Sequence, residues 1–114
     1  MKISIIIPCY NEKNYIIKIL KKINEIKDIN YEIIIVDDAS SDGSTELLKQ
    51  NSYLYSKLVI NEKNFGKGFS VKKGIQFATN DIILIQDADL EYDPQDYLKL
   101  INPVKFQNAD VVYG

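Results

Sequence analysis

The sequence predicts an α/β fold: a mainly parallel, twisted sheet with helices on both faces. Three observations predict it. β-branched runs are near-continuous, amphipathic stretches at helical spacing separate them, and a polar cluster directly follows each of three apolar runs.

Ile3 to Ile7 and Tyr31 to Val36 have the composition of strands buried on both faces of a parallel sheet. Between them Ile16, Ile19, Leu20, Ile23 and Ile26 recur at helical spacing, with Lys18, Lys21, Lys22 and Glu25 on the other side, as in a crossover helix. The alternation continues with a short helix near Ser44 to Lys49 and a strand near Lys57 to Ile60. A helix from about Gly68 to Ala78 and a strand from Asp81 to Gln86 follow. Asp93-Pro94 supplies an N-cap and a first-turn proline for a helix reaching towards Ile101 or Phe106, and Asp110 to Tyr113 is the last strand. Right-handed crossovers then gather the carboxyl ends of the strands at one edge, where ligands bind in such folds. The clusters Pro8-Cys9-Tyr10-Asn11-Glu12, Asp37 to Gly43 and Asp87-Ala88-Asp89 should meet there, far apart as they are in sequence.

Composition narrows the chemistry. The 114 residues fit one domain with a modest core, and 14 basic against 16 acidic residues leave no surplus to draw nucleic acid or anionic lipid. The absence of histidine excludes imidazole bases, histidine-ligated zinc and the common hydrolytic triads, leaving carboxylates, hydroxyls, lysines and backbone groups. Cys9 is the single cysteine, so no internal disulfide forms and a reducing cytoplasm is the expected compartment. The apolar stretch ending at Pro8 is shorter than a signal-peptide core or a membrane span.

Residues two apart on an extended chain share a face, so Asp87 and Asp89 present two carboxylates together beyond an apolar strand. Such a pair suits magnesium or manganese, whose shell is completed by substrate phosphates and water. A lone DxD is more often a turn cap beside a solvated acid; its place after a buried strand favours the metal. Asp37 and Asp38 should point oppositely, one into the crevice and one towards neighbouring backbone. An ionised carboxylate accepts hydrogen bonds only and suits the N–H donors of uracil or guanine, whereas the competing role is to cap the short helix with Ser40, Ser41 and Asp42. Gly66-Lys67-Gly68 precedes a helix whose amides, with Lys67, could meet phosphate, although two loop glycines are more often turn residues. Gly74 inside a helical stretch points to close packing. Tyr10 could stack on a base or simply be half-buried.

Taken together, Ile5-Ile6-Ile7-Pro8-Cys9-Tyr10-Asn11-Glu12, Ile35 to Ser44, Asn64-Phe65-Gly66-Lys67-Gly68 and Gln86 to Pro94 resemble family 2 glycosyltransferases of the GT-A fold. The likeness is greatest to the dolichol-phosphate or polyprenyl-phosphate mannosyl- and glucosyltransferase branch. It implies a Rossmann-like nucleotide-binding half with a UDP- or GDP-sugar as donor, a polyprenyl phosphate as acceptor and inversion at the anomeric carbon. By that resemblance Pro8, Tyr10 and Glu12 line the nucleotide pocket and Asp38 bonds the base, with Asp37 beside it. The backbone at Ala88 lies near the diphosphate, and Asp87 and Asp89 are the catalytic pair that holds magnesium or manganese; Lys67, from the reading of its own loop, joins the nucleotide-sugar site. Residues 1–114 would then be the donor-binding part of a catalytic domain whose acceptor region begins beyond Gly114. In a longer protein it would sit at the cytoplasmic face of a membrane, and an exposed apolar edge would favour self-association through the last strand or nearby helices. The alternatives are a receiver-like magnesium-binding module, which would carry its acidic pair after the first strand, a nucleotidyltransferase, which would carry a basic glycine-rich loop there, and a catalytically silent nucleotide-binding fragment.

Overall fold

The computed structural model describes residues 2–27 and 29–88, together with the backbone of 104–106 and 109–113. Six strands form one sheet in the order β3-β2-β1-β4-β6-β5: β1 Lys2–Cys9, β2 Asn30–Asp37, β3 Lys57–Ile60, β4 Ile82–Ile85, β5 Val104–Phe106 and β6 Ala109–Tyr113. All pairings are parallel except β5 with β6. The helices are α1 Ile16–Asn24, α2 Ser44–Gln50 and α3 Lys67–Phe77, with a single 3-10 turn at Ser52–Leu54.

The pleat divides the isoleucines between two cores. Ile3, Ile5, Ile7, Ile33 and Ile35 face α1, whose Ile16, Ile19, Leu20 and Ile23 are buried against them. Ile6, Ile34, Val36, Ile83 and Ile85 face the opposite way and meet Val71 of α3. Helices therefore cover both faces, and the unbroken apolar runs of β1 and β2 follow from burial on two sides. Gly74 is the close approach expected of it: a Cβ there would lie 2.4 Å from Ile6 Cγ2.

The C-terminal region departs from expectation in two respects. Val104–Phe106 is a strand antiparallel to β6, so the helix expected after Asp93-Pro94 does not reach Phe106; its predicted start lies outside the described residues. Because β5 covers β6, the last strand is internal and is not the open edge expected to drive self-association. Among the described residues no helix is long and apolar enough to cross a membrane.

Candidate functional site: a cleft at the carboxyl edge of the sheet

The ends of β1, β2 and β4 open into a cleft of about 500 Å3 lined by Pro8, Cys9, Tyr10, Glu12, Asp38, Asn64, Gly66, Lys67, Ser70, Asp87 and Ala88. Seven of the nine residues singled out in the sequence are thus brought together. Asp37 is not among the lining residues, and Asp89 lies outside the described residues.

Three loops build the cleft, and hydrogen bonds tie them to one another. Asn11 N donates to Ser40 Oγ at 2.9 Å, Ser41 N to Asn11 Oδ1 at 2.8 Å and Lys13 N to Asp42 Oδ2 at 3.1 Å, locking the loop after β1 onto the loop after β2. Asn11 (φ 53) and Ala39 (φ 60) hold left-handed backbone in these loops, a strain that persists only where surrounding bonds enforce it. Asp37 is fully buried: its Oδ1 accepts Ser40 N at 3.2 Å and the Ser40 hydroxyl at 2.6 Å, and its Oδ2 accepts the Thr45 hydroxyl. Its carboxylate shapes the turn into α2 and is turned away from the cleft.

Asp38 points the other way and organises the third loop. Its Oδ1 accepts Asn61 Nδ2 at 2.9 Å and Phe65 N at 2.8 Å, and its Oδ2 accepts Gly66 N at 2.9 Å. Burial works against the charged carboxylate, but these donors outweigh it and hold the Asp38 pKa below its ordinary value. Asn61, only 2 % exposed, also donates to Ser70 Oγ at 3.1 Å and accepts from Lys73 Nζ at 3.2 Å. Asn61 and Ser70 escaped the sequence reading. The available signals were a polar residue directly after β3, the same signal that marked the other strand ends, and a serine on the buried stripe of α3 with Val71 and Gly74.

At the far side Asp87 follows β4 and forms an ion pair with Lys67, the first residue of α3. Gln86, fully buried, steadies this turn by donating Nε2 to Asp87 O at 3.0 Å. Cys9 lines the cleft from beneath; burial, reinforced by the Asp37 charge, pushes its thiol up to about 12, so it stays protonated and inert. Among the described residues that line the cleft, Glu12, Asp38 and Asp87 are acidic and Lys67 is basic. An acidic pocket at the carboxyl edge of a GT-A sheet, with a basic helix start beside it, defines the class to which the chain is similar.

Comparison with known proteins settles the family. Residues 4–114 match glycosyl transferase family 2, and the chain belongs to that family. It is 35% identical to a dolichol-phosphate mannosyltransferase of Pyrococcus furiosus, over 100% of this chain and 33% of the relative. It is 34% identical to an undecaprenyl-phosphate 4-deoxy-4-formamido-L-arabinose transferase of Aeromonas hydrophila, over 96% of this chain and 35% of the relative. Among solved structures it is similar to the mannosyltransferase PcManGT of Pyrobaculum calidifontis in complex with GDP-Man and Mn2+, with TM-score 0.74 and 29% identity over 84% of this chain and 30% of that one. It is also similar to TarS of S. aureus in complex with UDP-GlcNAc, with TM-score 0.70 and 26% identity over 78% of this chain and 27% of that one. The chain spans about a third of the length of these curated relatives.

Proposed function

We propose that this chain holds a nucleoside diphosphate sugar in the cleft and serves the inverting transfer of that sugar to an acceptor, a polyprenyl phosphate. Asp38 bonds the base while Pro8, Tyr10 and Glu12 line the nucleotide pocket. Lys67 and the backbone at Ala88 lie beside the diphosphate, and Asp87 with Asp89 holds magnesium or manganese on it. Asp37 supports the pocket from outside. Two relatives carry a polyprenyl-type phosphate in their names, which supports the acceptor class. Such an acceptor is already anionic and places little demand on a general base. On this reading a longer protein that contains the chain works at the cytoplasmic face of a membrane.

The observation that carries the donor reading is charge. Among the described lining residues Asp38 and Asp87 set carboxylates against the single ammonium of Lys67, which Asp87 already engages, so a diphosphate is better held with a cation beside it. Asp87, the member of the expected pair that lies among the described residues, is a hard oxygen donor at the cleft edge whose carboxylate already draws the ammonium of Lys67. Bound there, a divalent ion would neutralise the charge developing on the departing nucleoside diphosphate. The protein's share is to fix the base and diphosphate so that the anomeric carbon is presented to the acceptor.

Calorimetric titration of nucleoside diphosphates with and without manganese tests this. Binding should be at least about tenfold tighter with the metal, the equivalent of about 1.4 kcal/mol. Asp87→Ala should abolish that difference while leaving the circular dichroism spectrum intact. Equal affinity with and without metal would falsify the assignment of Asp87 and Asp89.

A further inference from the structure

We propose that the base pocket is built for a single N–H donor, so that this chain takes a UDP-sugar in preference to a GDP-sugar. The inference rests on the reading that Asp38 bonds the base. The solved relatives do not decide the matter, since one holds GDP-Man and another UDP-GlcNAc.

A carboxylate offers about four acceptor positions, two on each oxygen. On Asp38 both positions of Oδ1 are filled, by Asn61 Nδ2 at 2.9 Å and Phe65 N at 2.8 Å. Oδ2 accepts Gly66 N at 2.9 Å and keeps one position open. The donors also differ in place: Gly66, which holds the oxygen with the open position, lines the cleft with Asp38, whereas Asn61 and Phe65, which fill the other oxygen, are not among the lining residues.

Asn61 cannot release Oδ1 by flipping its amide. Its Oδ1 accepts from Lys73 Nζ at 3.2 Å and its Nδ2 also reaches Ser70 Oγ at 3.1 Å. A flip would set carbonyl against carboxylate and amide N–H against ammonium, two repulsions in a residue 2 % exposed.

Uracil presents one donor on its pairing edge, N3–H, between two carbonyls. That edge matches one open acceptor. Guanine presents N1–H and an exocyclic amine side by side, a pair best met by one free position on each carboxylate oxygen. Here it would make one bond and leave the second donor unpaired against a saturated oxygen, which disfavours it by on the order of ten- to a hundredfold. Cytosine turns the lone pair of N3 towards the carboxylate and should bind more weakly than uracil as well.

Calorimetric titration of the 114-residue chain with UDP, GDP and N3-methyl-UDP, each with manganese, tests the proposal. UDP should bind at least tenfold more tightly than GDP, and N3-methylation should remove a comparable factor, since it deletes the one donor the site reads. Asp38→Ala should bring UDP and GDP to within about threefold of each other, a change in ratio that general loosening of the loop does not produce. Should that variant fail to fold, the N3-methyl arm carries the test with the natural chain. GDP binding as tightly as UDP, or N3-methyl-UDP binding as well as UDP, overturns the proposal while leaving donor binding intact. If no nucleotide binds, the donor reading itself fails and this inference falls with it.

Discussion

Adjacent aspartates at the end of β2 have opposite duties because an extended backbone sends them to opposite sides. That division was legible in the sequence; spacing alone left open which of the two meets the cleft, since that depends on the register of β2 against β1 and β3, and it was the family resemblance that named Asp38. Both carboxylates prove to be loop organisers, Asp38 for residues 61–66 and Asp37 for the turn into α2. Asp37→Ala should therefore cost stability. It strips three part-buried donors, Ser40 N, the Ser40 hydroxyl and the Thr45 hydroxyl, of their fully buried acceptor. Urea unfolding should show a loss of about 1.5 to 3 kcal/mol, the range for hydrogen bonds to a charged group, while the ratio of UDP to GDP affinity stays as in the natural chain. An unchanged midpoint would mean that these bonds do not hold the turn. Asn61 shows why part of the site stayed hidden: a lone asparagine after a short strand is ordinary in sequence, and only the fold sets it between Asp38, Ser70 and Lys73.

At the scale of elements, β1 through β4 and all three helices were legible because their apolar spacing is set by burial, which acts on every residue of the element. What burial does not set was read less well. The 3-10 turn at Ser52–Leu54 carries no periodic signal, and β5 is three residues long, too short for alternation to declare itself. Gly74 lies between these cases, legible as an anomaly within a helix and explained by the sheet beneath it. α3 packs across β1 and β2 only because Gly74 leaves room for Ile6. Gly74→Ala should lower stability by about 1 to 3 kcal/mol through overpacking, against a helix-propensity gain of about 1 kcal/mol. Ile6→Ala removes the methyl in the way, so thermal unfolding of the double variant should show a penalty smaller than the sum of the two single ones. Additive penalties would place the strain elsewhere.

Across the whole molecule, both ends of the sheet are fastened by carboxylates, and this fixes how the protein responds to acid. At the amino end Glu32 Oε2 accepts the Ser4 hydroxyl, Thr79 N at 2.7 Å and the Thr79 hydroxyl at 2.7 Å, tying the entry of β4 to β1 and β2. At the carboxyl end Asp42 accepts Lys13 N at 3.1 Å and Ser44 N at 3.0 Å, while Asp38 holds the loop before α3. Burial opposes ionisation in all three, yet the donated hydrogen bonds prevail, so each folded-state pKa lies below its ordinary value of 4.5 for Glu32 or 3.8 for Asp38 and Asp42. The sign follows: around these values the unfolded chain binds more protons than the folded one, so stability rises with pH. Their contribution is fully present above the ordinary values and is lost as pH falls through the lowered ones. With no histidine in the chain, no side chain of ordinary pKa titrates between pH 5 and 8. The melting temperature should therefore be nearly flat from pH 8 to 5 and fall steeply below about pH 4. Glu32→Gln should be less stable than the natural chain at neutral pH and lose less on acidification, because an amide oxygen accepts the same donors more weakly and does not titrate. A melting temperature that holds to pH 3, or an acid loss the variant shares in full, would show that these carboxylates do not fasten the sheet.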